Sequence, residues 1–343
     1  MSLLKGIYYN ICSLFPAQVL KQFSGATTLF PYHHIVSDED VKHIKHLYEY
    51  KNVRQFTTDL EYLLRHYKPA AVSDIIRNMS SKKKLPENTF LLTFDDGLRE
   101  VSEVIAPILQ KKGIPAVFFI NPAFLDNKEL FYRFKISLII EAITGTKNEP
   151  VLLKECNTIF KKKFQSTQEL ITHLRGIMDD DKSVLNELAG KLDFSFDDYL
   201  KNKKPYLTSA QVKELSGSGF TIGSHSWDHP YYKFLPLDEQ KKQTIRSAEY
   251  VKENFHPAYN LFSFPHLDTD VTQDFFNEMV LEYPGIDAYF GVQNQKSELQ
   301  NKMLHRFNAE RPHLGIDKQI KGILMLIFLQ RLFNKQFVKR KYA

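Results

Sequence analysis

The chain has 343 residues, of which 46 are Lys or Arg and 40 are Asp or Glu, so its formal net charge is +6. Apolar residues make up 43% and charged residues 25%, values close to those of an average soluble domain. This composition excludes a disordered chain and a collagen, and two cysteines cannot build a disulfide framework. The length fits one large domain or two ordinary ones.

The positive charge is concentrated at the two ends of the chain. Residues 318–343 contain seven Lys or Arg and no acid, whereas residues 38–317 contain 37 basic and 40 acidic residues. The central part is therefore slightly acidic, which argues against nucleic acid as a partner.

Residues 1–27 are predicted to form an amphipathic segment. The apolar run after Lys5 is broken by polar residues and Pro16, unlike a signal peptide, so we expect a cytoplasmic protein. The apolar positions at helical spacing are Leu3, Leu4, Ile7, Tyr8, Ile11, Leu14 and Phe15.

Residues 28–317 show strands alternating with helical patterns. Most of the strand-like runs are continuously apolar, which is typical of parallel strands covered by helices. They are Thr28–Tyr32, Thr89–Phe94, Ala116–Ile120, Phe220–Gly223, Leu261–Phe264, Ala288–Val292 and Met303–Phe307, with Ala70–Val72 as a further candidate. The alternation predicts an α/β fold, either a barrel or a doubly wound sheet.

Two regions lack this alternation of strands and helices. Residues from about 122 to 205 carry no strand signal and are interpreted as a helical insertion between two strands rather than a separate domain. Residues 318–343 are predicted to form a basic amphipathic helix and tail, with the apolar pattern over Gly322–Val338. That helix either packs on the barrel or lies on an anionic lipid surface.

Two adjacent carboxylates, Asp95 and Asp96, follow an apolar strand directly, before Gly97 turns the chain. Adjacent carboxylates repel each other, which favours a site where one binds a metal and the other has a different role. An N-cap of the next helix is the alternative.

Two histidines, His225 and His229, follow another apolar strand four residues apart. This spacing lets both imidazoles bind one metal from a helical turn or a tight loop, although a surface pair is commoner for such spacing alone. One Asp and two His would form a three-ligand site with open positions, as in catalytic zinc sites.

Together, Thr93-Phe94-Asp95-Asp96-Gly97 and His225-Ser226-Trp227-Asp228-His229 resemble the motifs of the polysaccharide deacetylase family, also called carbohydrate esterase family four or the NodB-homology domain. The resemblance covers roughly residues 28–310, including Tyr32-His33-His34 near its start. It implies a distorted (β/α) barrel of about seven strands, interrupted here by the helical insertion.

The resemblance also implies roles for individual residues. Asp95 would be the catalytic base, and Asp96, His225 and His229 would bind a divalent metal, for which Zn²⁺ is expected. His305, in the motif Met303-Leu304-His305-Arg306, would be the general acid. The expected substrate-binding residues are His33, His34, Pro265, His266 and Arg306.

One family motif, Arg-x-Pro-aromatic, is altered in this chain. The matching stretch is Ser263-Phe264-Pro265-His266, so Ser263 replaces the Arg that would pair with the base. Either the pKa of the base is set in a different way, or another Arg such as Arg306 reaches the base.

We therefore expect a hydrolase that removes an N-acetyl group from an amino sugar in a glycan or lipid-linked glycan precursor. One alternative is a deformylase or O-deacylase acting on a related glycolipid. Another is a non-catalytic, metal-binding scaffold in a glycan-synthesis complex, which the missing Arg keeps open. The apolar and basic ends further suggest peripheral contact with the inner face of an anionic membrane.

Overall fold

The computed structural model describes residues 3–146, 148–178 and 181–342. The chain forms two compact units. The larger unit comprises Met1–Asp38, Tyr50–Ala123 and Leu207–Ala343, and the smaller comprises Glu39–Glu49 and Phe124–Tyr206.

The strands all belong to the larger unit. They are β1 (Thr28–Leu29), β2 (Pro31–His33), β3 (Lys68–Pro69), β4 (Thr89–Phe90), β5 (Leu92–Phe94), β6 (Ala116–Ile120), β7 (Thr221–Ser224), β8 (Leu261–Ser263), β9 (Ala288–Gly291), β10 (Ser297–Glu298), β11 (Met303–His305) and β12 (Phe307–Asn308). Nine of them form one sheet in the order β10-β11-β9-β8-β7-β6-β5-β2-β12, and β1-β4-β3 form a small second sheet.

The α-helices are distributed over both units. They are α1 (Leu3–Ser13), α2 (Ala17–Ser24), α3 (Val53–His66), α4 (Val72–Ser80), α5 (Ala106–Lys111), α6 (Tyr132–Thr144), α7 (Glu149–Phe160), α8 (Thr167–Arg175), α9 (Ser183–Lys191), α10 (Phe196–Lys203), α11 (Ser209–Gly217), α12 (Leu237–Phe255), α13 (Gln273–Glu282) and α14 (Ile316–Leu332). A π-helical turn, Val101–Ile105, precedes α5.

The nine-stranded sheet curls into a barrel. Its neighbouring strands pair in parallel, except β10 with β11. Only Arg306 separates β11 from β12, and β11 pairs with β9 whereas β12 pairs with β2. One chain segment therefore joins the two ends of the sheet, which is how a barrel removes its open edges. The predicted distorted (β/α) barrel is confirmed.

Two predicted strands are each divided between the two sheets. Thr28–Tyr32 becomes β1 and β2, and Thr89–Phe94 becomes β4 and β5. The further candidate, Ala70–Val72, was wrong, because Val72 begins α4. Val72, Ile75 and Ile76 are buried at positions i, i+3 and i+4, which is the period of a helix face rather than of a strand.

The smaller unit contains the region predicted as a helical insertion. Its core includes side chains from α6, and Glu39–Glu49 packs against that helix. The Ser137 hydroxyl donates to the Lys42 carbonyl at 2.7 Å, and the His43 ring lies 5.0 Å from that of Phe134.

The N-terminal helices pack on α14, which begins at Ile316, six residues before the predicted apolar pattern. The Tyr8 hydroxyl donates to the Gly322 carbonyl at 2.7 Å, and the Tyr9 ring covers the α-carbon of Gly322. None of the helices in the described ranges is both long enough and apolar enough to cross a membrane.

Gly322→Ala is expected to lower the free energy of unfolding by about 1 to 3 kcal/mol, the usual cost of overpacking. The added β-carbon would collide with the Tyr9 ring at the crossing of α1 and α14. Urea unfolding measures the change. Gly217→Ala in α11 is the matched control, since its β-carbon meets no atom within 4 Å. Equal losses in the two variants would show that the helix crossing is not the cause.

Candidate active site

The carboxyl ends of the barrel strands carry most of the predicted site. Asp95 and Asp96 follow β5, and His225 follows β7. Ser263 ends β8, and Arg306 follows β11. Because parallel strands end at the same rim of a barrel, side chains far apart in sequence meet there, as they do in other (β/α) barrels.

Asp96, His225 and His229 converge with the geometry of a metal site. The Oδ1 atom of Asp96 lies 3.5 Å from Nε2 of His225 and 3.2 Å from Nε2 of His229, and all three residues are buried. Ligand atoms of a tetrahedral zinc stand about 2.0–2.1 Å from the ion and so about 3.4 Å from one another. The observed separations fit a divalent cation bound by these three atoms.

The surrounding groups orient both histidines. Nδ1 of His225 lies 2.8 Å from the Ser263 carbonyl, to which it donates, so Nε2 can present its lone pair to a metal. Burial lowers the pKa of His225 to about 4, so this imidazole is neutral at physiological pH, as ligation requires. The Ser226 hydroxyl accepts from the His229 amide at 3.1 Å.

Asn121 is a supporting residue that the sequence reasoning missed. Its side-chain amide donates to the carbonyls of His225 and Ser226 and so holds the loop that carries both histidines. Its position directly after β6, at the rim where the other polar residues lie, was the available signal.

Asp95 is bound on both carboxylate oxygens by Arg306. Nη1 of Arg306 lies 2.7 Å from Oδ1, and Nη2 lies 2.8 Å from Oδ2. Nη2 also donates to the Ser263 hydroxyl at 2.7 Å. Burial alone would raise the pKa of Asp95, but the charge of Arg306 outweighs it and holds that pKa below its usual value. Asp95 is therefore an ionised carboxylate at neutral pH.

This arrangement accounts for the altered family motif. The small side chain at position 263 accepts a hydrogen bond from a guanidinium that arrives from another strand. Of the two alternatives left open by the sequence, the structure shows the one in which Arg306 reaches the base. Arg306, expected among the substrate-binding residues, thus lies against Asp95 and is fully buried.

His305, the predicted general acid, is not brought to this site. Neighbouring residues of a strand point to opposite faces, so His305 faces away from the interior that Arg306 enters. Its Nε2 lies 2.8 Å from Oε2 of Glu298, and its Nδ1 lies 3.7 Å from Oδ2 of Asp268. Arg340 donates to both of these carboxylates. These three groups lie close enough together to hold a metal ion, but Arg340 already occupies both carboxylates with its own hydrogen bonds.

His34 and Glu310 form a dyad at the rim of the barrel. Nδ1 of His34 lies 2.7 Å from Oε2 of Glu310, whose Oε1 accepts from the backbone amides of His34 and Ile35. Burial alone would lower the pKa of His34, but the charge and hydrogen bond of Glu310, with Asp96 and Asp95 nearby, raise it to about 9. His34 is therefore an imidazolium at neutral pH, and its side chain is 22% exposed.

Glu310 was not among the predicted site residues. It lies just past β12, the last strand of the barrel, and its place at that rim was the only signal. His33, in contrast, is buried and stacks on the Phe94 ring at 5.7 Å. It faces the core rather than the metal ligands.

A row of rings leads from the candidate metal ligands to the surface. The His266 ring lies 4.4 Å from that of His229 and stacks on Tyr231 at 3.5 Å. Tyr231 in turn contacts Phe234, which is 61% exposed. His266, which follows Pro265 and has a left-handed φ of 55°, thus lies directly beside His229.

Glu310→Gln is expected to change the pH dependence of stability in protein stripped of metal by a chelator. The raised pKa of His34 stabilises the folded state fully below about pH 6.5, and this contribution is lost as pH rises through about 9. The side-chain oxygen of Gln can still accept hydrogen bonds from the backbone amides of His34 and Ile35, but Gln carries no charge. Roughly 2 to 3 kcal/mol of this pH-dependent stability should therefore disappear. Urea unfolding from pH 6 to pH 10 measures the free energy of unfolding of both proteins. If its pH dependence is the same in the variant and the wild type, Glu310 does not raise the pKa of His34.

Solved deacetylase structures share this fold. The deacetylase PplD of Streptococcus pyogenes, solved in complex with acetate, matches with a TM-score of 0.55 and 13% identity over 87% of this chain and 98% of that chain. IcaB from Ammonifex degensii matches with a TM-score of 0.52 and 15% identity over 87% of this chain and 97% of that chain. At these identities the likeness concerns the fold alone.

The sequence comparisons agree with the fold. YheN of Bacillus subtilis (strain 168), named as a polysaccharide deacetylase, is 22% identical over 186 residues. That match covers 52% of this chain and 61% of the curated relative, which is less than two thirds of its length. The family model for polysaccharide deacetylase matches residues 82–279, more than half of the chain, and this range contains Asp95, Asp96, His225 and His229. The chain therefore belongs to the polysaccharide deacetylase family.

Proposed function

We propose that this protein is a metal-dependent carbohydrate deacetylase that removes an N-acetyl group from an amino sugar of a glycan or lipid-linked glycan. One observation carries the proposal: the Asp96, His225 and His229 ligand atoms lie next to an ionised Asp95 at the open end of the barrel. A divalent cation held by these three ligands, Zn²⁺ by the donor set, would acidify a water molecule and polarise the acyl carbonyl.

The protein's own residues supply the proton transfers. Asp95 accepts the proton of the attacking water, and Arg306 keeps this carboxylate ionised and oriented. As water oxygen bonds to the carbonyl carbon and the C–N bond breaks, the departing amine needs a proton. We assign the donation of this proton to His34, whose imidazolium pairs with Glu310 at the rim of the barrel. The products are acetate and a free amino sugar.

The row of rings next to His229 supports a saccharide substrate. Tyr231, His266 and Phe234 offer flat apolar faces beside the ligands, and sugar rings pack well against such faces. Pro265 and His266 would contact the sugar that carries the acetamido group.

The alternatives differ in how much support they retain. A deformylase or an O-deacylase needs the same water, metal and carboxylate. The assay with formylated and O-acetylated substrates described below therefore distinguishes these activities from N-deacetylation. The non-catalytic scaffold rested on the missing Arg of the Arg-x-Pro-aromatic motif, where this chain has Ser263. Because Arg306 supplies a guanidinium to Asp95, that reason for preferring a scaffold is weaker.

We also propose that the protein works at the cytoplasmic face of a membrane, in peripheral contact through its two ends. Apolar side chains on α1 and α2, in the link between them and after α14 are exposed to solvent, which favours an interfacial surface. They include Ile11, Leu14, Phe23, Phe333 and Phe337.

The activity is tested by acetate release from N-acetylglucosamine oligomers, measured for the metal-loaded and the chelated protein. N-formylated and O-acetylated oligomers serve as parallel substrates, and vesicles of phosphatidylglycerol test the membrane contact. Metal-dependent release from the N-acetylated series supports the proposal. Metal binding without acyl release from any series would favour the scaffold.

The general acid is tested by comparing His34→Gln with His305→Gln. Gln at position 34 still donates to Glu310 but carries no transferable proton, so kcat should fall by about 10²-fold or more. Gln at position 305 should alter stability but leave kcat of the folded protein within a few fold, since His305 faces Glu298 and Asp268. The reverse pattern would restore His305 as the acid.

A further inference from the structure

A cavity of about 1340 Å³ lies in the larger unit, away from the metal ligands. Phe30, directly before β2, and Met303, the first residue of β11, are among the residues that line it, as is Thr28 at the start of β1 in the small second sheet. The cavity therefore opens at the amino ends of the barrel strands, opposite the rim that carries Asp95 and His225. The proposed deacetylation makes no use of this space.

The charged part of the lining is mostly cationic. A single carboxylate, Glu87, stands among the lining residues, whereas five are Lys or Arg. The five are Lys21, Arg65, Lys84, Lys296 and Arg331.

These cations are not neutralised by neighbouring acids. Lys21 donates to the His66 carbonyl at 3.1 Å, and Arg331 donates to the Ser24 carbonyl at 2.6 Å. Within residues 3–146, 148–178 and 181–342, neither these two nor Arg65, Lys84 and Lys296 form an ion pair with a carboxylate. Several uncompensated positive charges around one cavity attract an anion with more than one negative oxygen, such as a phosphate.

The remaining lining is partly neutral and polar, as at Asn88 and Gln295, and partly apolar, and the apolar part continues onto the exposed surface. Ile327 and Phe337 line the cavity, and Phe337 is itself 57% exposed. Beside them, the exposed Phe23 packs on Phe328 with ring centroids 5.8 Å apart. Cations within the cavity and aromatic rings around it match an amphiphile better than a fully soluble anion.

We propose that this cavity binds the phosphate-bearing head group of a membrane lipid, with the lipid's hydrocarbon chains against the apolar residues around Phe337. The inference extends the membrane contact proposed above and is independent of the deacetylase activity. It assigns a defined binding site where the sequence suggested only a diffuse basic and apolar surface.

The position of the cavity also constrains the substrate. Barrel strands of three to five residues, rising about 3.3 Å per residue, separate the cavity from the catalytic rim by roughly 10–17 Å. The sugar next to the phosphate of a lipid bound in the cavity cannot reach Asp95. The bound lipid is therefore an anchor, and the deacetylated sugar belongs to a separate molecule or lies far along a glycan.

The test is sedimentation with vesicles of phosphatidylcholine, with and without phosphatidylglycerol. The variant Arg65→Ala with Lys84→Ala removes two exposed lining cations. The matched control, Lys213→Ala with Lys252→Ala, removes two exposed lysines of the same unit that do not line the cavity. Thermal unfolding of each variant checks that the fold is intact, and no step of the assay depends on catalysis.

The cavity variant should bind phosphatidylglycerol vesicles about 30-fold more weakly than the wild type, since each cation contributes about 1 kcal/mol at an anionic surface. The control should change binding by less than about twofold. Equal losses in both variants would overturn the site in favour of diffuse attraction. Soluble glycerol phosphate is a separate arm: if it raises the unfolding temperature as strongly as the vesicles do, the ligand is a soluble phosphate and the lipid proposal is overturned.

Discussion

Asp95→Asn is expected to reduce kcat for acetate release by about 10²- to 10⁴-fold while the protein keeps its metal. Asn has nearly the same shape but cannot accept the proton of water. Asp96→Ala should lose both activity and metal, because Oδ1 of Asp96 is the atom on which His225 and His229 converge. Acetate release together with metal content after dialysis separates the two roles.

The variants at Asp95 and Asp96 serve as controls for each other. The two carboxylates are adjacent in sequence and both are buried, so a general disturbance of the loop would affect the two variants alike. Loss of metal from Asp95→Asn, or its retention by Asp96→Ala, would contradict the assignment of base and ligand.

Arg306→Met is expected to lower the free energy of unfolding at pH 7 by about 3 to 5 kcal/mol. The change leaves the buried carboxylate of Asp95 without its partner, and such an unpaired charge is costly. The activity should fall as well, because the base is no longer held ionised in place. Urea unfolding and acetate release, measured where the variant is still folded, give the two effects.

Two further variants make the Arg306 experiment specific. Arg340→Met breaks another buried pairing, with Asp268 and Glu298, and should lower stability without lowering kcat of the folded protein. The double variant Ser263→Arg with Arg306→Ser moves the guanidinium to the position that the family motif uses. Partial recovery of activity is expected, and equal kcat losses in Arg306→Met and Arg340→Met would contradict a specific role for Arg306.

Much of the site was predictable because its residues lie beside strong local signals. Asp95 and Asp96 follow a continuously apolar strand, and His225 and His229 follow another. Since parallel strands in an α/β fold end at one rim, the sequence was enough to place the two motifs together. The α/β class was predictable because short apolar runs alternate with helical patterns, and the family resemblance of the two motifs then favoured a barrel over a doubly wound sheet.

The remaining part of the site depends on pairings that leave no local signal. Arg306 reaches Asp95 across 211 residues, and it does so because β11 and β12 close the barrel on either side of it. Sequence alone could not choose between His305 and Arg306, because a shift of one residue in a strand exchanges the side chain that faces inward.

The α/β class and the two polar motifs could be predicted from the sequence, because each depends on a short apolar strand and the polar residues directly after it. The resemblance of these motifs to a known family then predicted the barrel, the metal-binding roles of Asp96, His225 and His229, and Asp95 as the base. Three features could be found only in the tertiary structure: Arg306 pairs with Asp95, His34 lies at the rim of the barrel whereas His305 pairs with Glu298, and a cavity with cationic residues lies at the opposite end of the barrel. These features depend on strand register and barrel closure, which arise from contacts between residues hundreds of positions apart.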